Sequence, residues 1–236
     1  MNNLLFKISV IIPCYNEKST IEKVILNVKK NINLDKDEII IIDDFSNDGT
    51  RKILENLNSE NNIKIIYNSK NFGKGYSLKS GINNSSGDII IIQDADLEYD
   101  PNDYEKILRP FFEANADVVY GSRFLGGGKY VRIHFFWHYL ANKILTFLCN
   151  IFTNLNLTDM ETGYKVFKSK YAKQLNLIEN SFGIEPEITI KLAKKGLKFF
   201  EVPISYNGRS YNEGKKIGLK DAFIAVYCIF RYGLFK

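Results

Sequence analysis

The chain lacks a cysteine framework. Cys14, Cys149 and Cys228 are its three cysteines, an odd number, far apart and outside any metal-binding spacing. This excludes a disulfide scaffold and a zinc module, and it points to a reducing compartment. Long apolar runs are also missing. The longest, Ala222 to Phe230, is nine residues, against the roughly 20 that span a bilayer, so the chain is not expected to cross a membrane. At the N-terminus, Lys7 is followed by only five apolar or small residues before Pro13, which is no signal-peptide profile. No basic run with interleaved aromatics suggests nucleic acid. There is no Walker A loop. Gly73-Lys74-Gly75 lacks the spacing of a dinucleotide fingerprint and does not follow the first strand, which argues against a Rossmann dehydrogenase.

What is present is globular in character. The 236 residues are 45% hydrophobic and 25% charged, enough for one core and one domain with a short appendage. A formal charge of +5 argues weakly for an anionic partner such as a nucleotide, a phospholipid or a lipid phosphate. Residues 8–12, 39–42, 63–67, 88–92 and 118–120 read as strands of near-continuous apolar residues, and helical patterns separate them. Ser19 and Glu22 predict a capping box for the first helix. This alternation predicts a mostly parallel sheet covered by helices on both faces.

The most informative stretch runs from Asp88 to Pro101. Four isoleucines lead straight into Asp94-Ala95-Asp96, with Glu98 two residues further on. In extended chain, residues two apart point the same way, so Asp94, Asp96 and Glu98 are expected to converge. Clustered carboxylates repel and lose hydration unless a cation joins them. Mg²⁺ or Mn²⁺ shared with substrate phosphates is the usual solution. The alternative is an acidic turn in which Asp100 caps the next helix, with Pro101 at its first position; Asp100 is assigned that role. Further on, residues 133–152 are strongly apolar and aromatic, with Lys143 the one charged side chain among them, and they predict either a helix sandwiched in the core or one lying in a membrane interface. Residues 219–235 read as an amphipathic or apolar helix.

Pro13-Cys14-Tyr15-Asn16-Glu17, Asp43-Asp44-Phe45-Ser46-Asn47-Asp48-Gly49-Thr50, Asn71-Phe72-Gly73-Lys74-Gly75 and Asp94-Ala95-Asp96 resemble, in order and spacing, family 2 glycosyltransferases of GT-A fold. Gly121-Ser122-Arg123 and the segment from Asp159 to Gly163 look like the branch of dolichol-phosphate mannose and glucose synthases. The resemblance implies an α/β fold with a mostly parallel central sheet flanked by helices and with appended interfacial helices. It implies a catalytic domain over 1–217, containing the aromatic segment 133–155, and a C-terminal amphipathic helix over 218–236. Pro13, Tyr15, Glu17, Ile42 and Asp44 resemble the pocket for base and ribose, although Asp44 could instead belong to a turn that Asp48 or Asn47 caps better. Lys74, Asp94, Ala95 and Asp96 join them in the nucleotide-sugar set, and Asp94, Asp96 and Glu98 resemble the metal site. Glu98 stands where the dolichol enzymes often have glutamine. Arg123 resembles an arginine gripping the acceptor phosphate, with Arg132 or His138 as a second contact; for Arg132 a solvated loop residue is the alternative. Arg209 and Lys215 match a late basic pair that closes on the diphosphate.

The implied activity is inverting, metal-dependent transfer of one hexose from a donor of GDP-mannose or UDP-glucose type to a dolichyl or undecaprenyl phosphate, with Asp96, Arg123, Arg209 and Lys215 catalytic. The implied place is the cytoplasmic face of a membrane, peripherally bound; whether two copies pair as a homodimer stays open. Two departures matter: many relatives carry transmembrane helices after this domain, whereas here one short helix follows, and the Gln-x-x-Arg-Trp signature of processive synthases is absent. A runner-up reading is transfer to a sugar hydroxyl. That needs a general base, for which Glu185 or Glu187 at a helix start is the substitute. A non-catalytic membrane-surface module that binds sugar nucleotide is the more distant alternative.

Overall fold

The computed structural model describes residues 6–57, 62–126, 135–209 and 219–235. Strands β1 (Ile8–Cys14), β2 (Glu38–Asp43), β3 (Ile63–Tyr67) and β4 (Ile89–Ile92) alternate with helices α1 (Ile21–Asn31), α2 (Thr50–Glu55) and α3 (Lys74–Asn84). A 3-10 turn (Pro101–Asp103), α4 (Tyr104–Glu113) and β5 (Val118–Ser122) follow, then α5 (Phe136–Thr153), β6 (Lys165–Lys168) and the short α6 (Ser169–Ala172). The chain ends with α7 (Ile184–Ala193), β7 (Phe199–Pro203) and α8 (Leu219–Leu234). One sheet holds the strands in the order β3-β2-β1-β4-β6-β5-β7. All neighbours are parallel except β6, which runs antiparallel to both β4 and β5.

Runs of isoleucine form strands here because both faces of the sheet are covered. Ile39, Ile41, Ile89 and Ile91 face a core made with Val24, Ile25 and Val28 of α1 and Ile107, Leu108 and Phe111 of α4. Ile40, Ile42, Ile90 and Ile92 face the other core, made with Leu78 of α3, Ile184 and Ile188 of α7, and Cys228 and Ile229 of α8. Each buried isoleucine contributes on the order of 1.5–3 kcal/mol relative to exposure. The expected mostly parallel sheet between helices is therefore what the chain builds. β1 lies between β2 and β4, so successive connections leave it in opposite directions. That switch opens a crevice at the carboxyl ends of β1, β2 and β4, where open α/β sheets hold ligands.

Two local expectations need correction. Ser19 and Glu22 make no capping box. The helix begins at Ile21 after an N-cap Thr20 that makes no side-chain cap bond, and Thr20 Oγ1 instead donates to Glu17. The sandwiched reading of the aromatic segment also fails, because α5 buries only Leu145, Thr146 and Cys149. α5 packs beside α8, and α8 beside α7. The opposite sides of the first pair leave Trp137, Phe147, Phe223 and Tyr227 exposed. No helix among the described residues is long and apolar enough to cross a membrane. Asp100 behaves as expected: its carboxylate accepts from the Asn102 amide, with Pro101 at the first turn position.

Candidate active site

The crevice is lined by charged side chains that the sheet edge sets side by side. Asp94 lies two residues past the end of β4 and accepts an ion pair from Lys74, the first residue of α3, at 2.8 Å. The same ammonium reaches Glu185 of α7 at 3.1 Å, and Glu185 meets the buried Lys165 of β6 at 2.5 Å. Lys165 and Lys74 hold the Glu185 carboxyl below its ordinary range, against the burial that would raise it. Gly163 is required behind Asp94, since a Cβ there would collide with the Asp94 carboxylate.

Asp94, Asp96 and Glu98 do not converge as a trio. The chain leaves extended geometry after Ile92 and turns through Leu97 at φ 65°, so the two-residue alternation no longer applies. Glu98 is taken up by the late segment: its carboxylate accepts from Tyr206 Oη at 2.7 Å and from the Arg209 amide at 2.6 Å. Among the described residues no three His, Cys, Asp or Glu side chains are grouped to hold a metal ion. Asp94 and Asp96 remain as a pair of hard oxygen donors, which suffices for Mg²⁺ or Mn²⁺ when phosphates complete the shell. Burial, then the charges of Asp94 and Glu98, push the Asp96 carboxyl up to about 7. A carboxyl so strained toward neutrality fits a site that a cation completes.

Arg209 lies over this pair. Its guanidinium donates to the Asp96 carbonyl at 2.6 and 3.0 Å and to the Glu17 carboxylate at 2.8 and 3.2 Å. Glu17 follows Tyr15 in the loop after β1, and Pro13 pairs in register with Ile42 of β2. Ile42 is wholly buried and packs toward Gly81 of α3, so it offers the cleft no surface. Ala95 is likewise buried. Asp44 accepts from Asn68 at 2.7 Å and from the amides of Phe72 and Gly73 at 3.0 and 2.7 Å. It ties the loop after β2 to the loop after β3. The turn role considered for it belongs to Asp48, which accepts from both the amide and hydroxyl of Thr50.

On the other flank, Arg123 does not present its fork to the cleft. Nε and Nη2 each reach Asp159 at 2.7 Å, and the Arg123 amide reaches it at 3.0 Å. Asp159 is fully buried. Arg123 also touches Asn142 of α5, whose amide donates to the His138 carbonyl. The first turns of α5 therefore border Arg123, and His138 stands there. Arg132 and Lys215 lie outside the described residues. Glu187 is locked in place, accepting from the amides of Ile178 and Glu179 and pairing with Lys191. Glu161 was not singled out by the sequence. One of its oxygens is buried without a hydrogen-bond partner. Burial, then Glu185 and Asp159, raise its carboxyl to about 7 despite Lys165 and Arg123.

Comparison with known proteins agrees with this architecture. The family model described as "Glycosyl transferase family 2" matches residues 9–175. An uncharacterized protein of Methanocaldococcus jannaschii is 31% identical over 88% of this chain and 93% of its own length. A dolichol-phosphate mannosyltransferase of Pyrococcus furiosus is 30% identical over 98% of this chain, which spans 64% of that relative. An undecaprenyl-phosphate mannosyltransferase of Micrococcus luteus is 25% identical over 90% of this chain and 88% of its own. Among solved structures, glucosyl-3-phosphoglycerate synthase from Mycobacterium tuberculosis, with Mn²⁺, UDP and phosphoglyceric acid, superposes with a TM-score of 0.73. It is 18% identical, covering 97% of this chain and 78% of that one. With its sheet order, its crevice at the β1/β4 switch and these matches, the chain is a glycosyltransferase of GT-A fold and belongs to glycosyl transferase family 2.

Proposed function

We propose that this enzyme moves one hexose, with inversion, from a nucleotide-diphosphate sugar of GDP-mannose or UDP-glucose type to a polyprenyl phosphate at a membrane surface, as a peripheral protein of the cytoplasmic face. The observation that carries the reading is the apolar ledge of α5 and α8. It begins at the helix turns that touch Arg123 and leaves Trp137 and Phe223 each 75% exposed. A lipid-linked acceptor would arrive from that side. The names of the Pyrococcus and Micrococcus relatives support the same acceptor class.

An anionic phosphate nucleophile needs orientation more than deprotonation. That suits a site in which Glu185 and Glu187 are both consumed by ion pairs. Among the described residues, Arg209 and Lys74 would offset charge on the leaving diphosphate. Asp94 and Asp96 would hold Mg²⁺ or Mn²⁺, the ions in the synthase structures, and a bound divalent ion supplies Lewis-acid stabilisation of the same charge. Arg123, fixed by Asp159, would orient the acceptor side.

One observation favours a second reading. Glu161, raised toward neutrality near Arg123 and Asp159, has the character of a general base for a sugar hydroxyl. The test is transfer from labelled GDP-mannose and UDP-glucose, with Mn²⁺, to polyprenyl phosphate in liposomes and to free sugars. Labelled lipid formed by both wild type and Glu161→Gln supports the proposal. Labelling of free sugars alone, abolished by Glu161→Gln, would overturn it in favour of the second reading.

A further inference from the structure

Four charges of alternating sign lie in a row beneath the donor cleft: Asp94, Lys74, Glu185 and Lys165. The two ends of the row differ. Lys165 is wholly buried, and its ammonium has three acceptors: the Met160 carbonyl at 2.8 Å, the Thr162 carbonyl at 2.5 Å and Glu185 at 2.5 Å. An ammonium has three hydrogens, so this end is saturated and fixed. Lys74 and Asp94 retain 17% and 18% side-chain exposure, so the other end opens to the cleft.

The backbone that carries Lys74 is pinned. Gly73, at φ 99°, and Gly75 lie directly against the main chain of residues 179–181, where any Cβ would collide with the Asn180 or Glu179 carbonyl. The Tyr76 amide adds a bond to the Asn180 carbonyl at 3.1 Å. Movement of the Lys74 ammonium is therefore confined to its flexible four-carbon stem.

We propose that Lys74 is a resident counter-cation of Asp94 that a divalent ion displaces, and that Glu185, fixed by Lys165, is the positioning residue that keeps the displaced ammonium at the cleft, facing the donor diphosphate. The inference rests on the donor reading above. A carboxylate oxygen bound to a divalent ion cannot keep an ammonium on the same lone pair, because the two cations repel. Glu185 already touches Lys74, so the exchange breaks one ion pair and keeps the other. Without Glu185 the released ammonium would have no buried anion to hold it. The buried Lys165, bonded to Glu185 at 2.5 Å, keeps a cation beside that carboxylate whether or not Lys74 moves.

The test reads cation binding apart from turnover. Mn²⁺ alone, and then UDP or GDP with Mn²⁺, are titrated calorimetrically into wild type, Lys74→Met and Glu185→Gln. Lys74→Met should bind Mn²⁺ alone roughly tenfold more tightly, a size typical of coupled sites, and should bind the nucleotide with Mn²⁺ roughly tenfold more weakly. Glu185→Gln should weaken both, because Lys74 is left with Asp94 as its anion. Should Lys74→Met fail to fold, Lys74→Gln carries the same expectation. If the variants melt lower but bind Mn²⁺ as wild type does, the pairs are structural only and the inference is overturned. If wild type binds no Mn²⁺ with either nucleotide, the donor reading falls, and this inference with it.

Discussion

Replacing Arg123 with alanine should cost stability before it costs catalysis. The guanidinium is 9% exposed and closes a two-point contact, 2.7 Å on each side, onto an Asp159 carboxylate that is fully buried. Arg123→Ala removes the two guanidinium donors to that carboxylate and leaves the amide of residue 123. Removing one member of a buried pair typically costs about 3–5 kcal/mol, because the other charge stays buried and uncompensated. The guanidinium also packs over the Phe124 and Tyr206 rings, at 5.5 and 5.2 Å from their centroids. For a chain of this size each kcal/mol moves the melting temperature by about 2–4 °C, so the expected fall is about 6–20 °C. Thermal unfolding followed by circular dichroism measures it directly. Adding Asp159→Asn to Arg123→Ala should recover a large part of the loss, since the second change removes the stranded charge. An Arg123→Ala protein melting within about 2 °C of wild type would refute the reasoning. In that case Arg123 would be free for the acceptor phosphate and its pairing with Asp159 of little consequence. Transfer by these variants has to be measured well below the lowered melting point, otherwise unfolding mimics loss of an acceptor contact.

Gly163→Ala should reduce turnover strongly, because the new methyl group pushes the Asp94 carboxylate out of place; steady-state kinetics at saturating Mn²⁺ checks it, and unchanged kcat/KM would count against Asp94 as a donor-site ligand. Glu161 titrates near 7 in the folded chain against 4.5 for its ordinary value. Between those values the folded state holds more protons, so stability falls as pH rises through that window. Glu161→Gln should therefore raise the melting temperature at pH 8 by a few degrees and leave it unchanged at pH 4, and melts at both pH values decide. Serine at Trp137 and Phe223 together should reduce co-sedimentation with anionic liposomes several-fold, with melting temperature preserved because both side chains are 75% exposed. Equal sedimentation by wild type and variant would remove the ledge as a membrane contact.

The sheet was legible because its signal is local. Four isoleucines in a row serve a strand only when both faces are covered, and β2 and β4 each show that alternation of faces in three dimensions. The Asp100-Pro101 helix start was legible for the same reason, since cap and proline act within one turn. Composition could not decide the fate of α5. A helix apolar nearly all round satisfies a buried and an interfacial setting equally well, and only the placement of α8 and α7 leaves Leu145 and Cys149 inside and Trp137 and Phe147 outside.

The charges of the site were less legible, because their partners come from distant parts of the chain. Arg123 reads as a phosphate ligand until Asp159 is seen across it, and Glu185 reads as a base until Lys74 and Lys165 close on it. Sequence alone gives the type of each side chain but not which opposite charge the fold will bring to it. The carboxylate trio failed for a different reason. Period-two reasoning holds only while the backbone stays extended, and here the strand ends at Ile92 and the chain turns from Ala95 through Leu97, at positive φ. Leucine gives no warning of a left-handed turn, as glycine or asparagine would have done. The turn is held by the late segment: Tyr206 and the Arg209 amide both bond Glu98, and Tyr99 forms an isolated antiparallel bridge with Tyr206. The Glu98 carboxylate is thereby committed to Tyr206 and Arg209, and it serves to seat Arg209 beside Asp96.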